Sequence, residues 1–65
     1  MKKPKVIFTL QNGGGSYKIN ITLTKDTTEE QNKWIKIQED IVIDYEMEAI
    51  KKDMENDGFL TEVIR

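Results

Sequence analysis

Apolar and polar residues alternate along two segments in the first third of the sequence. The alternation is strict in residues 17–24 (YKINITLT) and less clean in residues 5–10 (KVIFTL). A period of two predicts strands. Residues 11–16 (QNGGGS) contain Asn-Gly and two further glycines, which supply the positive-φ positions of a turn. The sequence therefore predicts an antiparallel β-hairpin, with Val6, Phe8 and Leu10 on the same face as the apolar residues of the second strand.

A helical pattern occupies residues 44–57. Met47, Ile50 and Met54, continued backwards by Ile43, form a narrow apolar stripe at about 100° per residue. Asp44 is a suitable N-cap, and Gly58 stands where a helix-ending glycine is expected. After this glycine, residues 59–64 (FLTEVI) are rich in strand formers and alternate. We predict a helix, a glycine stop and a C-terminal strand.

The segment between the hairpin and this helix has two interpretations. Residues 25–32 (KDTTEEQN) contain two overlapping capping-box patterns, Thr27 to Glu30 and Thr28 to Gln31, so a helix should begin there. Its core face would consist of Trp34, Ile35, Ile37, Ile41, Val42 and Tyr45. That face points almost opposite to the methionine stripe, which predicts a break near residues 41–45. The alternative is a second hairpin, because residues 34–38 and 41–45 are β-branched and alternate.

These elements predict an α+β fold in one small domain, residues 1–65. It consists of an N-terminal antiparallel hairpin, a helical middle and a C-terminal strand that joins the sheet. The alternative is a sheet of four or five strands with one helix. A chain of this length buries only about 60% of its unfolded surface, so association into a homo-oligomer would add stability.

The residue types argue against several kinds of chemistry. The chain contains no histidine and no cysteine, which removes the ligands of structural zinc and the commonest catalytic groups. Residues 53–58 (DMENDG) resemble the first half of an EF-hand loop, but Ile64 occupies the position of the required glutamate. The glycines of residues 13–15 join two strands and lack the ending of a phosphate-binding loop. We expect neither an enzyme nor a bound metal or cofactor.

Charge is divided unevenly along the chain. Residues 1–25 hold five lysines and no acid, whereas residues 26–65 hold all 12 acids against five basic residues. An acidic surface can steer a basic partner toward a protein and select it. The candidate protein-binding residues are Asp40, Asp44, Glu46, Glu48, Asp53 and Glu55. A solvated helix face that keeps a small protein soluble explains the same residues.

The lysines of the hairpin suggest a different partner. Lys5, Lys18 and Asn20 are the candidate residues for binding nucleic acid, with Tyr17 or Phe8 as a stacking platform. Affinity for phosphates grows with the number of phosphates that are neutralised, and only two lysines share this face. Net charge is −2, which also disfavours this interpretation.

The sequence thus predicts a non-enzymatic protein that binds and inhibits or modulates a protein partner. The first ten residues hold too short an apolar run for a signal peptide or a membrane span, so we expect a cytoplasmic protein. Nine lysines against one arginine are typical of an AT-rich genome. Small proteins of this kind are common among the proteins of phages and mobile elements that inhibit host factors.

Overall fold

The structure is a computed structural model that describes residues 3–65. Lys2, one of the lysines of the basic segment, lies outside the described residues. The elements in chain order are strand β1 (Lys5–Leu10), strand β2 (Ser16–Thr22), helix α1 (Glu29–Asn32), a 3-10 helix (Lys33–Ile37), strand β3 (Ile41–Ile43), helix α2 (Asp44–Asn56) and strand β4 (Leu60–Ile64). The predicted α+β fold is confirmed. No helix among these residues is long and apolar enough to cross a membrane.

The four strands form one mixed sheet in the order β3-β2-β1-β4. β2 is antiparallel to both of its neighbours, whereas β4 lies parallel to β1. The helical elements lie together on one face, because Trp34 and Ile37 pack into the same cluster as Met47 and Met54. The C-terminal strand therefore joins the hairpin's sheet as predicted, and within residues 3–65 no helix lies over the opposite face of the sheet.

The predicted hairpin is confirmed. Val6 lies opposite Ile21 and Phe8 opposite Ile19, so these apolar residues share the face that α2 covers, whereas Ile7 lies on the other face beside Asn20. The three glycines of the turn have φ angles of 91°, 76° and 78°, a region that other residues rarely adopt. β2 ends earlier than predicted, and Leu23 is 40% exposed instead of lying in the core.

The middle of the chain combines parts of both interpretations. Thr28 caps α1 and forms a complete capping box with Gln31, as one of the two patterns predicts. The helix lasts four residues, continues as a 3-10 helix and ends before Glu39, whose φ is 69°. Residues 41–43 are then extended as β3 and pair with β2. The break thus begins earlier than predicted, and the second hairpin is wrong because residues 34–37 are helical.

Pairing with β2 explains this outcome. β-branched residues lose side-chain freedom in a helix and fit a pleated sheet, so a free strand edge favours the extended form of residues 41–43. The predicted core face of a continuous helix is wrong for three of its members. Ile35 is 43% exposed, Ile41 60% and Tyr45 86%.

Helix α2 begins with a backbone contact in place of the predicted side-chain cap. Ile43 occupies the N-cap position in an extended conformation, and Asp44 is the first helical residue. The N–H of Asp44 donates to the carbonyl of Gly15 in the hairpin turn at 2.9 Å. One of the otherwise unpaired amides of the helix start is thereby satisfied without an N-cap side chain. The predicted role of Asp44 as the N-cap is wrong.

The end of α2 is a complete Schellman motif. The Gly58 N–H donates to the Glu55 carbonyl at 3.1 Å, and the Phe59 N–H donates to the Met54 carbonyl at 3.0 Å. Gly58 has a φ of 94°, as its predicted role as the stop requires. The side chain of Gln31 reaches the same corner, where its Nε2 donates to the Asp57 carbonyl at 3.3 Å. The glycine stop therefore joins α1, α2 and β4 at one point.

The core lies between the sheet and α2. The predicted stripe is confirmed within α2, since Met47 and Met54 are 0% exposed and Ile50 is half-buried. It is wrong for Ile43, which is 54% exposed because it belongs to β3 and not to the helix. The buried hydrophobic residues of the core are Val6, Phe8, Tyr17, Ile19, Ile21, Met47, Met54 and Phe59. Burying such side chains supplies the main favourable term in folding, about 1.5–3 kcal/mol each.

Candidate functional site

Helix α2 turns one face to the core and the opposite face to solvent. Because Met47 and Met54 are buried, a spacing of about 100° per residue directs Tyr45 and Ala49 away from the sheet. We define the outer α2 surface as the exposed residues Asp44, Tyr45, Glu46, Glu48, Ala49, Lys52, Asp53 and Asn56. It contains four of the six predicted protein-binding residues.

Carboxylates border this surface on both sides. Asp44 and Glu48 lie along one side of the helix, and Glu46 and Asp53 lie along the other. The two ion pairs found among residues 3–65 involve other carboxylates. These four acidic side chains are therefore exposed and have no cationic partner within the described part of the chain.

Tyr45 stands between the two rows of acids and is 86% exposed. The sequence pattern favours a core position for Tyr45, on a helical face that runs from Trp34 onward, over a role as an interface anchor, and the core position is wrong. β3 interrupts that helix, so Tyr45 follows the phase of α2 instead. A signal was present in the sequence, since Tyr45 falls about 160° from Met47 at the helical spacing.

A shallow groove of about 840 Å³ runs between the start of α2 and the hairpin turn. Its lining residues are Gly15, Ile43, Asp44, Tyr45, Glu48, Ala49 and Lys52. Ile43 is 54% exposed, so the groove offers apolar surface beside carboxylates. A lysine or arginine side chain of a partner fits this chemistry, because its stem can pack on Ile43 and Tyr45 while its charged end meets an acid.

The other two predicted protein-binding residues lie elsewhere. Glu55 accepts a hydrogen bond from the Thr61 hydroxyl at 2.6 Å, and the Lys51 ammonium lies 3.5 Å away. The Thr61 hydrogen bond, followed by the Lys51 charge, lowers the pKa of the Glu55 carboxyl from its ordinary value. Asp40 is exposed in the turn before β3, where its carbonyl accepts from the Ile19 N–H. Glu55 is thus engaged within the chain, and Asp40 is separate from α2.

The predicted nucleic-acid residues lie together on the open face of the sheet. Asn20 is next to Lys18 on this face of β2, and Lys5 lies opposite Thr22. The two lysines are therefore separated by four residues along the strands, or about 13 Å. Lys5 also forms an ion pair with Glu62 at 3.7 Å.

The proposed stacking platform is not on that face. Tyr17 and Phe8 are 4% and 0% exposed and lie beneath α2 on the opposite face of the sheet. The prediction that either ring could stack on a base is wrong, because strand alternation directs both rings into the core.

No group of three or more acidic side chains within residues 3–65 is arranged to hold a metal ion. The EF-hand-like segment forms the last turn of α2 and its Schellman motif instead of a loop. Asp57 of this segment accepts a hydrogen bond from the Trp34 indole N–H at 2.6 Å, which ties the 3-10 helix to the end of α2.

Comparison with known proteins adds no functional assignment. No protein-family model, curated protein or solved structure matches the chain. The surfaces described above are therefore the basis for a functional proposal.

Proposed function

We propose that this chain is a non-enzymatic, cytoplasmic interaction protein that binds a protein partner through the outer α2 surface and thereby inhibits or modulates it. The observation that carries the proposal is Tyr45, which is 86% exposed between two rows of carboxylates. A large aromatic side chain presented on a rigid helix is the type of residue that anchors protein interfaces. The partner surface is expected to be basic, with a lysine or arginine that enters the groove.

The charge of helix α2 also favours a basic partner. Helix α2 contains five acidic residues and two lysines, and one of those lysines is occupied by Glu55. A surface whose net charge has one sign raises the encounter rate with a partner of the opposite sign, and salt reduces this effect. Tyr45 would then provide affinity, and the surrounding carboxylates would provide steering and specificity.

A nucleic-acid-binding regulator is the rival function, and one observation favours it. Lys5, Lys18 and Asn20 share an open sheet face, as predicted. Two features weaken this alternative. The rings of Tyr17 and Phe8 face the core, and Lys5 is paired with Glu62. The two lysines can neutralise few phosphates, and affinity for nucleic acid rises with the number of phosphates that are neutralised.

The test uses matched charge reversals. Wild type, Asp44→Lys/Glu48→Lys and a control, Asp26→Lys/Glu30→Lys, serve as baits for proteins from a cell lysate. Both double variants change net charge equally, and all four positions are exposed. Each captured protein is then purified and its affinity is measured at two salt concentrations. Tyr45→Ala is included as the anchor variant.

A specific partner should keep its affinity for the control and lose it with the α2 reversal. Tyr45→Ala should weaken binding by about 30-fold, which corresponds to the 2 kcal/mol typical of an anchor residue. If the two reversals weaken binding equally, the α2 proposal is wrong. Binding of mixed-sequence DNA or RNA that is lost with Lys5→Gln/Lys18→Gln would establish the rival function.

A further inference from the structure

The two edges of the sheet differ in how their backbone N–H and C=O groups are paired. On the β2 side, Ile19 donates its N–H to the Asp40 carbonyl at 2.9 Å and accepts from the Glu39 N–H at 2.8 Å. The Ile21 N–H donates to the side-chain oxygen of Gln38. The chain therefore covers the part of β2 that β3 does not pair, and the edge strand on this side is β3, which has three residues. A very short edge strand offers little backbone for another strand to pair with.

The β4 edge has no such cover within residues 3–65. β4 pairs with β1 alone, and the Leu60 N–H donates to the Pro4 carbonyl on that side. Because backbone groups alternate in direction along a strand, Thr61 and Val63 direct their N–H and C=O groups outward. Residues 60–64 contain no lysine and no proline, and their register with β1 has no bulge. Lysine, proline and bulges, which often protect an edge strand, are therefore missing here, and Glu62 is the one charged residue of β4.

Neutral ion pairs flank this edge on both faces of the sheet. Lys51 and Glu55 lie on the α2 side, where Glu55 also contacts Thr61. Lys5 and Glu62 lie on the open side. The edge therefore presents both signs of charge as ion pairs, whereas the outer α2 surface carries four carboxylates without an ion-pair partner and one lysine. This arrangement favours a partner that also presents both signs in reverse order.

We propose that the β4 edge pairs antiparallel with β4 of a second copy of this chain, about a two-fold axis at Glu62. Thr61 and Val63 then face each other across the axis and exchange their outward N–H and C=O groups. Leu60 and Ile64, which are 52% and 46% exposed, also lie opposite each other and cover one another. The result is an eight-stranded sheet with identical surfaces in contact, the commonest symmetry of homodimers.

The charges agree with this register. The chain reverses at Gly58, so α2 runs back along β4, and Lys51 lies one helical turn beyond Glu55. A two-fold axis therefore brings Glu55 of one copy toward Lys51 of the other. At the axis the two Glu62 carboxylates lie opposite each other, an unfavourable contact of like charges that the Lys5 ammonium 3.7 Å from each carboxylate offsets. The proposal is independent of the α2 function, because the outer α2 surface faces away from the sheet.

The test compares Val63→Pro with Val63→Ala. Both variants lose the valine side chain, but proline also removes the outward N–H and leaves the ladder to β1 intact. Sedimentation equilibrium should give wild type and Val63→Ala a mass of twice 7.6 kDa. Val63→Pro should raise the dimer dissociation constant at least tenfold while circular dichroism shows a folded chain. Equal dissociation constants for the two variants would overturn the proposal.

Hydrogen exchange provides a second measurement that needs no variant. Protection of the Thr61 and Val63 amides should rise with protein concentration, because these N–H groups are bonded in the dimer alone. Fast exchange that is independent of concentration would contradict the proposal. A wild type that stays monomeric up to about 1 mM, where even a weak dimer forms, would also overturn it.

Discussion

Gly58→Ala is expected to destabilise the fold more than a glycine substitution usually does. Gly58 has a φ of 94°, and a Cβ atom built there would lie 2.9 Å from Nε2 of Gln31. Gln31 is 7% exposed and is held by its capping box with Thr28 and by the Asp57 carbonyl. The amide therefore cannot move aside without losing hydrogen bonds.

Two contributions determine the magnitude. The left-handed backbone costs alanine about 1–2 kcal/mol, of which about 0.4–1 kcal/mol is offset by the lower entropy of the unfolded chain. Displacing Gln31 removes part of a capping box, which costs about 1 kcal/mol. We expect a loss of about 2 kcal/mol in the free energy of unfolding. In a domain of this size such a loss lowers Tm by about 8–16 °C.

Urea denaturation followed by Trp34 fluorescence measures the loss, and Gly14→Ala is the control. Gly14 also has a positive φ, 76°, but a Cβ atom there meets nothing within 4 Å. It should cost about 1 kcal/mol or less. In a chain that already carries Gln31→Ala, the further loss caused by Gly58→Ala should fall to that of Gly14→Ala. Equal losses for Gly58→Ala and Gly14→Ala would show that the contact with Gln31 has no energetic effect.

Two further predictions concern single hydrogen bonds. Thr61→Val should raise the pKa of Glu55 toward its ordinary value, as measured by NMR titration of the carboxyl carbon. Folding lowers this pKa, so Glu55 stabilises the fold at pH values above its unfolded pKa. This contribution is lost as pH falls through the folded pKa. An unchanged pKa in Thr61→Val would contradict the assignment of the hydrogen bond as the cause. Gln38→Ala should cost about 1–2 kcal/mol, because it leaves the Ile21 N–H without its partner. Ile21 amide exchange should accelerate, and unchanged protection would refute the role of Gln38.

Local signals predicted the two ends of the chain well. Strand alternation in residues 5–10 and 17–22 reports burial on one face of a sheet, and the observed register agrees with it. The methionine stripe and Gly58 defined α2 and its end for the same reason, since spacing and backbone conformation are local properties. The parallel pairing of β4 with β1 was not predictable in this way, because it joins residues more than 50 positions apart.

The middle of the chain shows where local reasoning ends. Residues 34–45 carry a helical pattern and a strand pattern together, and β2 decides between them by offering an edge to Ile41–Ile43. The candidate site depended on this decision. The acids of α2 were predicted from composition, whereas the exposure of Tyr45 depended on where β3 interrupts the helix.

The parallel arrangement of β1 and β4 also determines how the protein responds to mechanical force. Tension applied at Lys5 and at Ile64 pulls neighbouring strands lengthwise in opposite directions, since these residues lie at opposite ends of the pair. The hydrogen bonds between the strands are then loaded together in shear and do not open one after another. Rupture must pass over the unfolding barrier in one step. The fold is therefore expected to resist stretching between these two points more strongly than its small core would suggest.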